Sequence, residues 1–391
     1  MVNYVKIIKI WRIMKYYGNI KEKIYKGINN MKREDNPYTL QFSYIPPKYI
    51  ERRMATSDIV SNFVRQVPTY RGIFITGVRG SGKTVMLGDI RNKINSTDGW
   101  IAVDLNPETD LIHSLANKLY RLPELKMIFT EAKLDFSIAG FGLKLDDAKL
   151  VAYSDDDVLE MMLETLKKHG KRVLVTIDEI MYSENVSRFS HALSSYAGED
   201  YDIYVLMTGL KENIDKIKNK PSLTFLYRAK IYEMDMLNIT AISLDYQKTL
   251  MLKSDEANQL AFESKGYSLA YQVLGYVYWE ALSRSGSVDN IDKIELYEQV
   301  DSILADLAYD KIFEELSSKD ITVLKAMVRL LRENESDAVK VEDVRREINM
   351  TSETFATYRK RLIDSGIVDG KQHGYLRIRL PRLEHYVKLS Q

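Results

Sequence analysis

A glycine-rich octapeptide, Gly77-Val78-Arg79-Gly80-Ser81-Gly82-Lys83-Thr84, constrains this chain more than any other feature. It matches the pattern G-x-x-x-x-G-K-[ST] without a mismatch. The apolar run 71–76 before it reads as a buried strand, and 84–93 after it reads as a helix. In that setting the glycines let successive backbone N–H groups turn inward around phosphate oxygens, and the helix N-terminus adds partial positive charge. Lys83 is placed to reach the β and γ phosphates, and the Thr84 hydroxyl to ligate Mg²⁺. The candidate cradle therefore runs from Gly77 through Thr84, with Val85 in the first helical turn, and the expected cofactors are ATP and Mg²⁺.

The rhythm around this loop defines the fold class. Strand-like runs recur at 72–76, 100–105, 172–177, 203–208 and 229–232, separated by helical stretches that include 110–120 and 155–169. Such alternation predicts an α/β unit, a parallel five-stranded sheet covered by helices on both faces. Proline at 37, 46 and 47 marks an extended lead-in, followed by a helix over 51–67. Leu134–Ile138 and Phe141–Leu145, around Ala139-Gly140, read as a β-hairpin projecting from the sheet. From 238 to 316 strand signals stop, and helices opening at Ser254, Ser268 and Asp292 predict an all-α lid. Over 317–391, three helices precede a hairpin: 321–331 behind a capping box at Ser317, 340–348, and a helix capped by Thr351 or Ser352 and ended by Gly366. That order is the plan of a winged helix-turn-helix. The expected units are a basic extension (1–35), the P-loop domain (36–237), the lid (238–316) and the winged helix (317–391).

A P-loop ATPase needs a second metal contact and a group that activates water. The strand 172–177 ends in Asp178-Glu179, which puts Asp178 at the carboxyl edge of the sheet beside the metal and leaves Glu179 to polarise the attacking water. The next strand ends in Thr208, whose side chain is placed to report the γ-phosphate. Arg228, just before the last strand, is a candidate to stabilise transition-state charge on its own or a neighbouring subunit's nucleotide.

In this order, Walker A loop, Asp-Glu Walker B strand, polar-ended strand, arginine, helical lid and winged helix, the chain resembles the AAA+ ATPases. It is most similar to the origin-recognition-like group of archaea and bacterial mobile elements. The resemblance covers residues 36 to 385. It implies that the lead-in Pro46-Pro47-Lys48-Tyr49-Ile50-Glu51-Arg52 helps seat adenine, with Arg52 among the nucleotide-binding residues. It also implies ATP hydrolysis, assembly into homo-oligomers on ATP binding, and DNA as a partner. One departure stands out: where such lids carry an arginine facing the γ-phosphate, this chain has Leu269, in a lid more like that of STAND-type signalling ATPases.

Net charge is +1, so no global field attracts nucleic acid. The C-terminal unit is locally basic, with ten Lys/Arg against five Asp/Glu between Arg345 and Lys388. On the third helix Phe355, Tyr358 and Leu362 share an inward face, and Thr354, Thr357 and Arg361 the opposite one, where a recognition helix reads the major groove. In the wing, Leu376, Ile378 and Leu380 alternate with Arg377 and Arg379. With Lys371 in the turn, these make a candidate surface for double-stranded DNA. The competing reading is a protein-binding winged helix in a signalling switch. Cysteine is absent, which excludes disulfides and thiolate metal sites and fits a cytoplasmic setting. No run of 18 uncharged apolar residues occurs, so a membrane-spanning helix is not expected. Residues 1–15, with Lys6, Lys9, Arg12 and Lys15 at three-residue spacing, leave three readings open: a basic amphipathic helix, a packed extension, or sequence upstream of a natural start at Met31.

Overall fold

A computed structural model describes residues 35–41, 45–132, 142–144, 150–152 and 154–389. The basic extension 1–34 lies outside them. The central sheet contains β1 (Gly72–Thr76), β2 (Trp100–Leu105), β5 (Arg172–Ile177), β6 (Ile203–Gly209) and β7 (Lys230–Glu233), in the order β2-β5-β6-β1-β7. All pairings are parallel. Each strand matches its predicted run to within a residue or two. β3 (Gly142–Lys144) pairs antiparallel with β4 (Leu150–Ala152) outside this sheet. The other strand expected of that hairpin, 134–138, lies outside the described residues.

Both faces of the sheet are buried, as a parallel sheet requires. On β1, Ile73 and Ile75 point into one core with Ile59, Phe63 and Ile90, while Phe74 points into the other with Val175, Val205 and Met207. The period-2 alternation therefore separates two apolar layers. Register aligns the carboxyl ends: Thr76 pairs with Gly209 and Glu233, and Ile177 with Met207. Residues just beyond these strands are thus gathered along one edge.

The lid and the winged helix, expected as separate units, share one continuous core. Tyr246, Tyr271 and Leu274 of the lid belong with Leu324, Phe355, Leu376 and Val387 of the C-terminal unit. Arg382 bridges back to Asp301 of the lid helix Lys293–Leu304. In the winged helix, helices Ser318–Glu333, Val341–Glu347 and Ser352–Asp364 precede a three-stranded sheet of order β8-β10-β9. Its strands are β8 (Val339–Lys340), β9 (Val368–Asp369) and β10 (Tyr375–Ile378). Strand β8, only two residues long, is too short to show a period. The capping box at Ser317, the Thr351 cap and the left-handed Gly366 (φ 78°) are present.

The lead-in bridges the lid and the P-loop domain: residues 36–39 pack on the lid, while Tyr49 donates to Asp89 (3.1 Å) on the helix after the P-loop. Tyr38 is buried, and its hydroxyl donates to Asp245 (2.7 Å) beside Tyr271, which donates to the same carboxylate (2.8 Å). The lid's long helix, Ser268–Ser285, makes room with Gly275, where a Cβ would stand 2.6–2.7 Å from the Tyr38 ring. Gln272 ties the two ends of the lead-in, accepting from Thr39 N–H (3.1 Å) and donating to Lys48 O (2.6 Å).

Candidate nucleotide-binding site

Gly80 (φ 75°) and Gly82 (φ 90°) take the left-handed conformation that turns the loop between β1 and the helix Lys83–Asn95. Among the described residues, the amides of Gly80, Gly82, Lys83 and Thr84 donate to no protein acceptor. The last two are first-turn amides, which have no partner within a helix. The outward carbonyls are all occupied. Arg79 O accepts from the Tyr267 hydroxyl (2.5 Å), and Gly80 O from Leu269 N–H (3.1 Å). Ser81 O accepts from Ser268 Oγ (2.8 Å) and Arg52 Nη2 (2.9 Å). The lid thus satisfies one face of the loop and leaves the amide face to an anion.

Lys83 is buried, its ammonium donating to Gly77 O (2.9 Å) and Val78 O (3.2 Å). Burial pulls it down to about 8, while Glu179 and Asp178 pull it back up. Thr84 Oγ1 donates to Asp178 Oδ2 (2.7 Å) across the mouth of the loop. The other oxygen of Asp178 accepts from the fully buried Thr208 hydroxyl. That hydroxyl in turn accepts from Glu179 N–H (3.0 Å), and Ile180 N–H donates to Thr208 O (2.8 Å). Thr208 therefore clamps the Asp178–Ile180 turn, in which Glu179 adopts φ 53° and stays exposed. Thr208, expected from sequence to report the γ-phosphate, thus stands at the strand end with its hydroxyl bonded to the Asp178–Glu179 turn. The unused amides, the buried lysine and the Thr84–Asp178 pair fit a triphosphate with Mg²⁺ held by one hydroxyl and one carboxylate.

A small cavity of about 50 Å³ beside Gly82 is lined by Tyr49, Ile50, Val85, Met86 and Leu237 on its apolar side and by Thr56, Asp89 and Gln272 on its polar side. Arg52 borders it. Leu269, where an arginine was expected, packs against the lid and lies against Gly80. Arg228 follows the helix Thr224–Tyr227, is exposed, and precedes β7 at its amino end. Five residues separate it from Glu233 at the carboxyl edge, about 16 Å at strand rise. It stands at the opposite end of β7 from the P-loop edge.

The predicted DNA-contact residues divide. Thr357 is exposed and Thr354 half-buried on the helix Ser352–Asp364. Leu376, Ile378 and Leu380 are buried with Arg377 exposed between them, as the alternation requires. Arg361, assigned to the major groove, pairs with the fully buried Asp320 (3.1 Å). A carboxylate sequestered by the capping box draws the guanidinium back to its own domain. Lys371 and Arg379 line a cavity of about 320 Å³ that also includes Gly77, Val78, Ser81 and Arg52. The winged helix is in fact docked beside the P-loop: Asp364 pairs with Lys211 just beyond β6 (2.7 Å), and a Cβ on Gly366 would lie 3.2 Å from that of Val78, while Glu315 at the end of the lid pairs with Arg79 (2.8 Å). None of these contacts has a local sequence signal.

Strand order, P-loop, Asp-Glu turn and helical lid define a AAA+ fold. The Aeropyrum pernix ORC2 protein, in a structure described as ADPNP-ADP complexes, is similar with a TM-score of 0.58 and 12% identity, over 89% of this chain and 96% of that one. Cdc6p from Pyrobaculum aerophilum matches the same shares at 17% identity with a TM-score of 0.48. AMPPCP-bound DnaA from Aquifex aeolicus matches 88% and 94% at 11% identity with a TM-score of 0.40. Of these three, the ORC2 protein alone shares the fold at a TM-score above 0.5. A family model described as a domain of unknown function (DUF8462) matches residues 307–387, from the end of the lid through the winged helix. No curated protein matches the chain. Among the described residues no helix is long and apolar enough to cross a membrane.

Proposed function

We propose that the chain is an ATP-binding, Mg²⁺-dependent ATPase switch whose nucleotide state governs its C-terminal winged helix. The observation that carries this reading is the Asp178 carboxylate shared between Thr84 and Thr208, beside a buried Lys83 and unused P-loop amides. The amides of Gly80 to Thr84 and the Lys83 ammonium hold the phosphates. Thr84 and Asp178 hold Mg²⁺, which when bound neutralises charge on the transferring group. Thr208 fixes the turn that aims Glu179, and the Glu179 carboxylate orients water and takes its proton. Arg228, exposed before the amino end of β7, acts on a neighbouring subunit's nucleotide, in keeping with assembly on ATP. Duplex DNA is the partner that the exposed Thr357 and Arg377 support.

Glu179→Gln is expected to keep ATP affinity and lower turnover by at least about 100-fold, because general-base catalysis contributes about 10²–10⁴. Equal turnover in the two proteins refutes the assignment. Salt-dependent duplex binding that weakens in Arg377→Ala supports DNA as partner; Arg361→Ala is unsuitable there, since it strands a buried carboxylate. A second reading, a signalling switch whose winged helix binds protein, is favoured by the docking that turns Lys371 and Arg379 toward the P-loop. Absence of any salt-dependent DNA binding selects it.

A further inference from the structure

Leu269 leaves the lid without a cation for the nucleotide, and Arg52 stands at the opposite rim of the same loop. Its Nε donates to Asp235 O (3.3 Å), and its Nη2 to Asp235 O (3.0 Å), Ser81 O (2.9 Å) and Ser268 Oγ (3.0 Å). Every acceptor is neutral, and among the described residues Arg52 has no ion-pair partner. The Asp235 carboxylate is near enough only to act through space. Among the described residues Nη1 has no acceptor. It lies close to the loop: a Cβ on Gly82 would sit 3.6 Å from it and 3.3 Å from Ser268 Oγ.

A half-buried guanidinium without an ion-pair partner gains from an anion that joins it. This one is held from three sides, by the P-loop, by the segment leaving β7 and by the lid, so little freedom remains to be lost on binding. Resemblance assigns Arg52 to the adenine seat, but of the polar groups lining the recess beside Gly82, Thr56, Asp89 and Gln272 accept nothing from Arg52 and Ser268 is met by Nη2, not Nη1.

We infer that Arg52 is a phosphate ligand: Nη1 donates to a non-bridging oxygen of the nucleotide's α or β phosphate beside Gly82, and the lead-in thereby supplies the cation that the lid lacks at Leu269. The inference rests on the ATP reading above. Because Nη2 of the same group holds Ser268, the phosphate contact also fastens the lid to the loop.

The test is displacement of a fluorescent ATP analogue from the full-length protein by ATP, ADP, tripolyphosphate and adenosine. Arg52→Gln and Arg52→Lys are compared with wild type and with Arg53→Gln, a substitution at a neighbour whose side chain is 87% exposed. Arg52→Gln is expected to weaken ATP, ADP and tripolyphosphate by roughly 10- to 100-fold, the range for a lost charge-assisted hydrogen bond. Adenosine should change by less than about 2-fold, since it carries no phosphate. Arg52→Lys should recover part of the loss and Arg53→Gln none. Adenosine weakening in parallel with ATP, or tripolyphosphate binding unchanged, overturns the inference. If the Gln variant melts early, the tripolyphosphate-to-adenosine ratio of Arg52→Lys against wild type decides; an unchanged ratio overturns it. Wild-type protein that binds none of the phosphates refutes the ATP reading itself.

Discussion

Thr208→Val tests whether the catalytic edge is organised as the hydrogen bonds indicate. The substitution keeps shape and β-branching and removes one hydroxyl from a residue with no exposed surface. Two bonds disappear: the one donated to the Asp178 carboxylate and the one accepted from Glu179 N–H. A bond to a charged group contributes about 1.5–3 kcal/mol and a neutral one about 1 kcal/mol, so the expected loss is about 2–4 kcal/mol. For a unit of roughly 200 residues that corresponds to a fall in Tm of roughly 5–12 °C. The consequence for chemistry follows from Glu179, held at φ 53°, a conformation that costs a non-glycine residue about 1–2 kcal/mol. Without the Thr208 clamp the turn relaxes toward ordinary backbone angles and Glu179 swings off its aim. A misplacement of about 1 Å can cost 100-fold in rate, so ATP turnover should fall by at least about 10-fold. ATP affinity should stay within about 3-fold, because the P-loop amides and Lys83 are untouched. Scanning calorimetry, steady-state turnover and equilibrium nucleotide binding measure the three quantities, with Thr208→Ser as the hydroxyl-retaining control. A valine variant that melts with wild type refutes the clamp. One that turns over normally but no longer prefers ATP to ADP restores the γ-phosphate reporter expected from sequence.

Two further outcomes follow from burial. With Lys83 near 8 in the free protein, an arriving phosphate raises its proton affinity. Nucleotide binding should therefore take up a proton between about pH 8 and 9 and weaken as pH rises through that range, which calorimetry in buffers of different ionisation enthalpy detects; pH-independent affinity with no proton uptake refutes it. The folding contribution has the opposite sign: between about 8 and 10.5 only the unfolded chain holds this proton, so the residue's burial penalty shrinks with rising pH. At Gly275, alanine gains about 1 kcal/mol of helix propensity yet meets the Tyr38 ring at 2.6–2.7 Å, so Gly275→Ala should lower stability by about 1–3 kcal/mol. Urea unfolding should show the sign reversing in a Tyr38→Ala background; a loss of the same size there refutes the contact.

Local pattern made most of the architecture legible, because strands buried on both faces and capped helices are specified by neighbours a few residues apart. The five strands, the P-loop turn, the capping box at Ser317 and the αL stop at Gly366 belong to that class. The Asp178-Glu179 pair was legible for a related reason: a strand's carboxyl end puts the next two residues at the sheet edge whatever the tertiary details. Amphipathic alternation likewise predicted that Arg377 and Arg379 point away from the wing's core. What alternation cannot give is the identity of the surface that an outward side chain meets. Arg377 stays exposed beside Asp337 (3.5 Å), and Arg379, just past the end of β10, lines the cavity over the P-loop, although the two are two residues apart.

That difference carries the energetic logic of the docked winged helix. Near the P-loop the seam of the C-terminal half consists of two ion pairs, the close approach of Gly366 to Val78, and gaps of about 320 and 400 Å³ on either side. Pairs this exposed contribute about 0.2–1 kcal/mol each, and a gapped seam adds little dispersion. The lid and winged helix, by contrast, share one apolar core and a bidentate Arg382–Asp301 bridge. The winged helix is therefore joined more firmly to the lid than to the P-loop, whereas the lid itself holds the P-loop through Tyr267, Ser268 and Leu269. Arg79 and Lys211 sit at the two ends of the site, the former within the phosphate loop and the latter three residues beyond Thr208. In the proposed ATPase switch, a displacement of either end would reach Glu315 and Asp364 through single salt bridges, which makes these two pairs the first contacts of the C-terminal half to feel a change of phosphate state.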